Sequence, residues 1–302
     1  MKIAAITITR NDDYKFNEWY NNYLEYKDDL FLHIIVDNNS DNEYKLKLKE
    51  KFTDSIIIKR KLNGGCTQAY NDGILYALND PNVDSILLLG NDIRLERNAI
   101  PKLHRILFSN PFYGMVGPIV LAKNSNIVED FGSSISPSLQ MVPNHINKEI
   151  ESLVIETKLV DTIMGGINLA SVKFYKDIGL QDENLFMYSD EIDTGIRAKK
   201  KGYKIVITNT VKSWHNHINP TQVNKRLFYT DFLKGRNKVY LAYKHFGTYK
   251  AFYVFLFHFY LFLRRIFKSI MLLKSLQRDS IFLFGSVCGL LKIKKNFKFI
   301  IN

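Results

Sequence analysis

Two cysteines, Cys66 and Cys288, are all that 302 residues contain. They make no disulfide framework and show no metal-ligand spacing, which points to a reducing compartment and excludes a cysteine-held metal cluster. Gly-rich phosphate loops are missing as well. Gly64-Gly65-Cys66 is not followed by Gly-Lys-Ser/Thr, and the first apolar run, residues 3–9, is not followed by G-x-G-x-x-G. A nucleotide would have to be held by carboxylates and a metal. No internal repeat or low-complexity segment occurs. The N-terminal apolar run stops at Arg10, without the length or cleavage site of a signal peptide, and reads as a first buried strand. Long hydrophobic runs are absent too. Those in the tail, residues 251–263 and 280–291, hold 13 and 12 residues, short of the roughly 20 that a spanning helix needs.

What is present is the composition of a globular chain, 46% hydrophobic and 24% charged, with a formal net charge of +12. From Arg264 onward nine Lys and Arg face a single acid, Asp279, in 39 residues. A basic segment of this kind can meet nucleic acid or an anionic membrane. Here the cations alternate with apolar runs, which favours the membrane and argues against nucleic acid.

The chain is organised around residues 84–95, DSILLLGNDIRL. The apolar run at 86–89 reads as a strand buried on both faces, and it delivers Asp92 at its carboxyl end, the edge where open α/β sheets bind ligands. Asn98 is placed to cap a following helix. Strands are expected at 3–9, 32–36 and 55–59, with helices between them. Phe16, Trp19, Tyr20, Tyr23 and Leu24 form one apolar stripe of the first helix. Asp37 ends the second strand. Small residues at Ala69, Gly73 and Ala77 let the helix opened by Gly64 and Gly65 approach the sheet closely. Strand and helix alternating at this spacing predict a doubly wound, mostly parallel sheet.

The second half is less regular. Residues 115–121 and 159–164 read as strands, Gly165-Gly166 permits close backbone approach, and 167–174 is apolar. A helix capped by Ser189 or Asp190 carries three acids in its first turn, Asp190, Glu191 and Asp193, and stops at Gly202. Acids at a helix N-terminus are ordinarily there for the dipole, but three in four positions exceed what capping requires. A short strand at 205–208 precedes SWHNH, with His215 and His217.

In this order the segments VDNNS, NGGCTQAYNDGI, LLLGNDIRL, GGINLASVKFYKDIGL, FMYSDEIDTGIRAKKKGYKI, SWHNH and KGRNKVY resemble a family 2 glycosyltransferase of GT-A fold. Within it they are most similar to the rhamnosyltransferase-like and galactofuranosyltransferase-like branch of bacterial surface polysaccharide synthesis. The resemblance covers roughly the first 240 residues. It implies a mixed, mostly parallel sheet flanked by helices, with a catalytic domain over 1–218 and a helical, basic appendage over 219–302. It implies transfer, with inversion, of a rhamnose-like, galactofuranose or hexose sugar from a dTDP or UDP donor to a hydroxyl of a lipid-linked saccharide. Donor contacts fall on Thr9, Arg10, Asn11, Asp37, Asn39, Asn63, Asn71, Asn91 and Asp92. Asp92, with His215 or in reserve His217, would hold Mg or Mn. Gly90 stands where the family's metal motif usually has its first acid. Glu191 takes the general base position with Asp190 beside it, although the usual Glu-Asp order is reversed, and Gly165, Gly166, Asp190 and Asp193 border the sugars. A sugar nucleotidyltransferase and a non-catalytic membrane adaptor are the rival readings. The tail is expected to lie on the inner face of the cell membrane, its apolar faces meeting lipid beside basic flanks. A homodimer contact is its other use.

Overall fold

The computed structural model describes residues 1–154, 156–216, 223–272 and 277–293. In chain order the strands are β1 (Ile3–Thr9), β2 (Leu32–Asp37), β3 (Ile56–Lys59), β4 (Ser85–Leu89), β5 (Ile93–Leu95), β6 (Tyr113–Ala122), β7 (Val128–Asp130), β8 (Ser133–Ile135), β9 (Met141–Pro143), β10 (Thr157–Val160), β11 (Ile167–Ser171) and β12 (Lys204–His215). The helices are α1 (Phe16–Tyr26), α2 (Asn42–Lys51), α3 (Gly65–Leu78), α4 (Ala99–Leu107), α5 (Val172–Ile178), α6 (Asp190–Lys200), α7 (Val223–Phe246), α8 (Thr248–Leu272) and α9 (Gln277–Leu290). Two compact units result: residues 1–134, 142–183 and 194–217, and residues 135–141, 184–193 and 218–302.

The first unit is built on a sheet of order β10-β12-β6-β11-β4-β1-β2-β3. β3, β2, β1 and β4 are parallel. β11 runs antiparallel between β4 and β6, and β12 is parallel to β6. The sheet is therefore mixed: β4 is fully buried as its apolar run predicts, yet only one of its two neighbours is parallel. Side chains alternate across the pleat. Ala4, Ile6, Ile86 and Leu88 pack with Ala69, Ile74 and Ala77 of α3 on one face. Ile3, Ala5, Leu87 and Leu89 pack with Phe16, Trp19 and Leu103 on the other. A methyl group on Gly73 would stand 2.5 Å from Ile6 Cγ2, so the close approach of α3 is real.

Several local expectations shift. Leu24 is exposed and Tyr26 completes the buried face of α1. Asn98 precedes α4 in a left-handed conformation and makes no side-chain cap bond. The strand expected at 159–164 is β10, which ends at Val160, because the amides of Asp161 and Thr162 turn to the carbonyl of Ser133. The strand expected at 205–208 continues past a bulge to His215.

In the second unit α7 and α9 cross at glycines. A Cβ on Gly235 would meet the carbonyl of Phe282 at 2.1 Å, one on Gly285 the carbonyl of Phe232 at 2.1 Å, and one on Gly289 the carbonyl of Arg236 at 2.5 Å. Backbone-to-backbone contact of this kind admits no larger residue. Phe232, Leu233, Cys288 and Phe186 fill the small apolar core beside it.

His33 on β2 gives the fold an acid-sensitive point. Its ring stacks on Tyr23 and lies 2.7 Å from Ser55 Oγ, and burial pushes its pKa down from 6.5 to about 3. The unfolded chain takes up this proton below pH 6.5 and the folded chain does not until about pH 3. This contribution is therefore complete at neutral pH and falls by about 1.4 kcal/mol per pH unit on acidification. Denaturant titrations between pH 7 and 4.5 should show that slope reduced by one proton in His33→Gln. An unchanged slope would contradict the assignment.

Candidate functional site

The parallel strands β1, β2 and β4 deliver Thr9, Asp37 and the Gly90-Asn91-Asp92 turn to one edge of the sheet. β5 then runs antiparallel along the end of β12, with Ile93 opposite His215 and Arg94 opposite Trp214. The amide of Asn216 donates to the carbonyl of Asp92 at 2.8 Å. This register brings His215 Nε2 to 3.8 Å from Asp92 Oδ2. Glu129 on β7 lies behind the imidazole, its Oε2 3.1 Å from Nδ1. Lys15 Nζ is 3.3 Å from Asp92 Oδ2 and 3.7 Å from Asp12.

Burial opposes charge on all three groups, and their neighbours outweigh it. Burial raises the Asp92 pKa, but His215 and Lys15 hold this carboxyl well below the usual range. His215 is lowered by burial and raised on balance by Asp92 and Glu129. Lys15 is likewise raised on balance, chiefly by Asp92. With Nδ1–H turned to Glu129, Nε2 faces a carboxylate, and either a proton or a divalent cation between them satisfies both. A carboxylate-backed imidazole beside an aspartate is a metal-binding donor set. Among the described residues no group of three or more ligating side chains forms. An Mg or Mn ion held here would have Asp92 and His215 as protein donors and would need phosphate and water to complete an octahedral shell.

Gly90 now has a physical reason. A Cβ there would stand 2.7 Å from Asp92 Oδ1, and the Gly90 amide donates to the carbonyl of Gly166 at 2.7 Å. The carboxylate of Asp92 thus lies against the face of the turn that a side chain at position 90 would occupy.

Around the Asp92–His215 pair runs a polar net. Asp12 Oδ2 accepts from Thr9 Oγ1 at 3.0 Å, from the Arg10 amide at 3.1 Å and from Asn91 Nδ2 at 2.7 Å. Tyr44 OH lies 2.5 Å from Thr9 Oγ1. Asn11, at positive φ, ties its loop to Ser40 and Asp41. Asp37 is fully buried. One oxygen accepts from the Ser40 amide and the other has no partner among the described residues. Asn38, Asn63 and the amides of Gly64 and Gly65 form a closed set of bonds, all at 3.0 Å.

The acid cluster belongs to the second unit. Phe186, Tyr188 and Ser189 all have φ between 63° and 66°, a left-handed conformation that costs a non-glycine residue of order 1–2 kcal/mol. Helix α7 holds them there. Asn237 Nδ2 lies 2.7–3.1 Å from the carbonyls of Leu185, Met187 and Tyr188, and Arg236 donates to that of Asn184 at 2.5 Å. The clamped approach sets Asp190 at the first turn of α6. Burial and then the charge of Glu191 push the Asp190 pKa well above the usual carboxylate range. Glu191 is half-buried. Asp193 is committed elsewhere, with its Oδ1 2.7 Å from both Lys244 Nζ and His245 Nε2.

No family model matches the chain. The low-salt glycan biosynthesis hexosyltransferase Agl10 of Haloferax volcanii is 27% identical over 186 residues, 61% of this chain and 58% of the relative. The matched stretch thus spans less than two thirds of that protein's length. The mannosyltransferase PcManGT of Pyrobaculum calidifontis, solved with GDP-Man and Mn2+, superposes with a TM-score of 0.58 at 12% identity, covering 96% of this chain and 87% of that one. GalNAc-T7, solved with UDP, GalNAc and Mn2+, superposes at 0.59 with 13% identity, over 71% of this chain and 44% of its own. The fold is GT-A.

Within the GT-A sheet of the first unit the structure gathers Thr9, Asn91, Asp92 and His215, with Gly166 bonded to Gly90. Asn63 is engaged with Asn38. Asn71 is clamped by residue 181, giving one bond to its carbonyl and taking one from its amide, both 2.9 Å. Arg10 is exposed; Asn39, at positive φ, and Gly165 are half-buried. His217 lies outside the described residues. Sequence reasoning missed Asp12, Lys15, Asn38 and Glu129, and in the second unit Arg236 and Asn237. Asn38, Arg236 and Asn237 sit inside the quoted segments VDNNS and KGRNKVY, whereas Glu129 carries no local signal.

Replacing Gly90 by Ala tests the Asp92–His215 pair. The clash falls on the end of the Asp92 side chain, which can swing away, so the melting temperature should change little. Binding of Mn2+ together with a nucleoside diphosphate, followed by electron paramagnetic resonance, should weaken about 10-fold or more, as it should in Asp92→Asn. Unaltered Mn2+ affinity in both variants would remove Asp92 as a ligand.

Proposed function

We propose that the chain is a metal-dependent, inverting glycosyltransferase that moves a hexose-class sugar from a nucleoside diphosphate to a hydroxyl of a lipid-linked saccharide. The observation that carries this reading is the Asp92–His215 pair, backed by Glu129 at the carboxyl edge of a GT-A sheet. The hexosyltransferase relative and the Mn2+-containing glycosyltransferase neighbours support it. Asp37 supports the nucleotide side by its place at the carboxyl end of β2, opposite Thr9 of β1.

When bound, a divalent cation supplies Lewis-acid stabilisation of the negative charge that builds on the leaving diphosphate. Asp92 and His215 hold it, and Lys15 adds a second positive charge beside them. The acceptor hydroxyl loses its proton as it attacks the anomeric carbon, so a carboxylate base is required. Two adjacent acids in a buried setting do not both ionise. Burial and the neighbouring charge favour the proton on Asp190, which leaves the base role to Glu191. One displacement breaks the bond to the diphosphate as it forms the new glycosidic bond, and inverts the centre.

The membrane side of the proposal rests on α8. Phe252, Leu256, Phe259, Tyr260, Leu263 and Phe267 are exposed along this helix, next to Arg264 and Arg265. No helix among the described residues is long and apolar enough to cross a membrane. An aromatic face with arginines at its border suits the surface of an anionic bilayer, here the inner face of the cell membrane. Lys274, Lys294, Lys295 and Lys298 of the basic tail lie outside the described residues.

Screening UDP-, dTDP- and GDP-sugars with Mn2+ for donor turnover identifies the substrate. With that donor, Glu191→Gln should leave nucleotide affinity nearly unchanged and cut transfer by about 100-fold or more. If Asp190→Asn does this and Glu191→Gln does not, the two roles are exchanged.

A further inference from the structure

The second unit contains a cavity of about 470 Å³ between α7, α8 and α9. Its polar wall carries four cations, Lys234, Lys238, Arg265 and Arg278, against two acids, Asp231 and Asp279. Both acids are already paired. Arg278 grips Asp231 with bonds of 2.6 and 3.1 Å, and Arg265 donates to Asp279. Lys234 and Lys238 are one helical turn apart on α7, and among the described residues neither meets a carboxylate. Lys234 lies over the Tyr188 ring at 5.2 Å. Lys238 is half-buried and donates to Gln140 Oε1.

The bonds behind Lys238 fix the protonation of this wall. Since Gln140 Oε1 accepts from Lys238, its Nε2–H faces His258 Nε2, 3.1 Å away, which must therefore carry the lone pair. His258 Nδ1–H then donates to Ser286 Oγ at 2.9 Å, and Ser286 donates to the carbonyl of Phe282 at 3.0 Å. The imidazole is neutral, and burial, with Lys238 adding to it, pushes its pKa down to about 3. Burial and then Lys234 push Lys238 down to about 8. Among the described residues Lys238 has Gln140 as its hydrogen-bond partner and Lys234 as its charged neighbour, and no carboxylate is paired with it. Two like charges four residues apart on a helix, one desolvated, are costly on their own and favourable beside an anion. The lining also includes the apolar side chains of Leu261, Phe262 and Phe282. Leu261 and Phe262 belong to α8, the helix whose exposed face is aromatic.

We propose that this cavity binds the phosphate or diphosphate head of an amphiphile, with Lys234 and Lys238 on the head and the apolar side chains on the start of its chain. The binding claim stands on the cavity alone; that this ligand is the lipid carrier of the acceptor saccharide rests on the glycosyl-transfer reading. Arg236 and Asn237 clamp the approach to α6, so the remaining cations of KGRNKVY acquire a separate task.

The test uses the full chain in nonionic micelles and calorimetry with four probes: geranylgeranyl diphosphate, geranylgeraniol, inorganic pyrophosphate and phosphatidylglycerol. The diphosphate lipid should bind at least 10-fold tighter than each of the other three, and the Lys234→Gln/Lys238→Gln double variant should lose that advantage. Lys238→Arg should retain it. Binding of Mn2+ and nucleotide should be unaffected in both variants, so loss of the donor reading is seen separately. Equal binding by pyrophosphate would overturn the amphiphile, and equal binding by phosphatidylglycerol would overturn the acceptor carrier in favour of bulk lipid. Wild-type affinity in the double variant would overturn the cavity. Should that variant misfold, lysine acylation of the wild-type chain decides the matter: the diphosphate lipid must protect Lys238 at least several-fold, and no protection refutes the site.

Discussion

The antiparallel pairing of β5 with the last residues of β12 is the constraint on which the Asp92–His215 cluster depends. Register there sets His215 opposite Ile93, and the Asn216 amide bonds back to the Asp92 carbonyl. β7 completes the arrangement, because it pairs with β6 and β6 pairs with the end of β12, which brings Glu129 behind the imidazole. Backbone ladders thus hold an acid, an imidazole and a second acid in line, with Lys15 reaching in from the loop before α1. Asp92, His215 and Lys15 are each partly desolvated, and on each the charge of its neighbours outweighs the cost of burial. Such a cluster is costly to assemble without a rigid frame.

The second unit solves a different problem with similar means. Its three helices leave little room for apolar packing where α7 meets α9, since glycines bring the backbones together. Specificity there comes instead from buried polar side chains. Arg236, Asn237, His258 and Ser286 are all at most 1% exposed. Asn237 binds three carbonyls of a segment that includes left-handed residues, and in doing so sets the start of α6 with its acid pair. The strain before Asp190 is therefore borne by α7, and the elevated proton affinity of Asp190 follows from the burial this imposes.

Much of the fold was legible from periodicity. The strand at Ile3–Thr9, the runs ending at Asp37 and Leu89, the small-residue face of α3 and the stop at Gly202 follow from burial patterns and backbone preferences that act within a few residues. The Asp92, Asp190 and His215 positions were legible from the order of segments rather than from chemistry at any one of them. Leu24, Asn98 and the extent of β12 were misread for one reason. Helix phase, cap geometry and strand length are decided by what the neighbouring element buries, and tertiary packing overrides a local preference worth a fraction of a kcal/mol.

The sequence by itself determined which segments are strands with buried faces, where carboxylates stand after them, and that the tail is apolar and basic without a spanning length. Only the tertiary structure decided that β11 runs antiparallel within the sheet, that Glu129 and Lys15 complete the Asp92–His215 pair, and that Asp193 turns to Lys244 and His245. It also decided that the two acids of the tail cavity are consumed by arginines, leaving two lysines without a carboxylate among the described residues. The physical reason is range. Hydrophobic period and turn chemistry act along the chain, whereas charge pairing and desolvation act through space between residues that the sequence holds far apart.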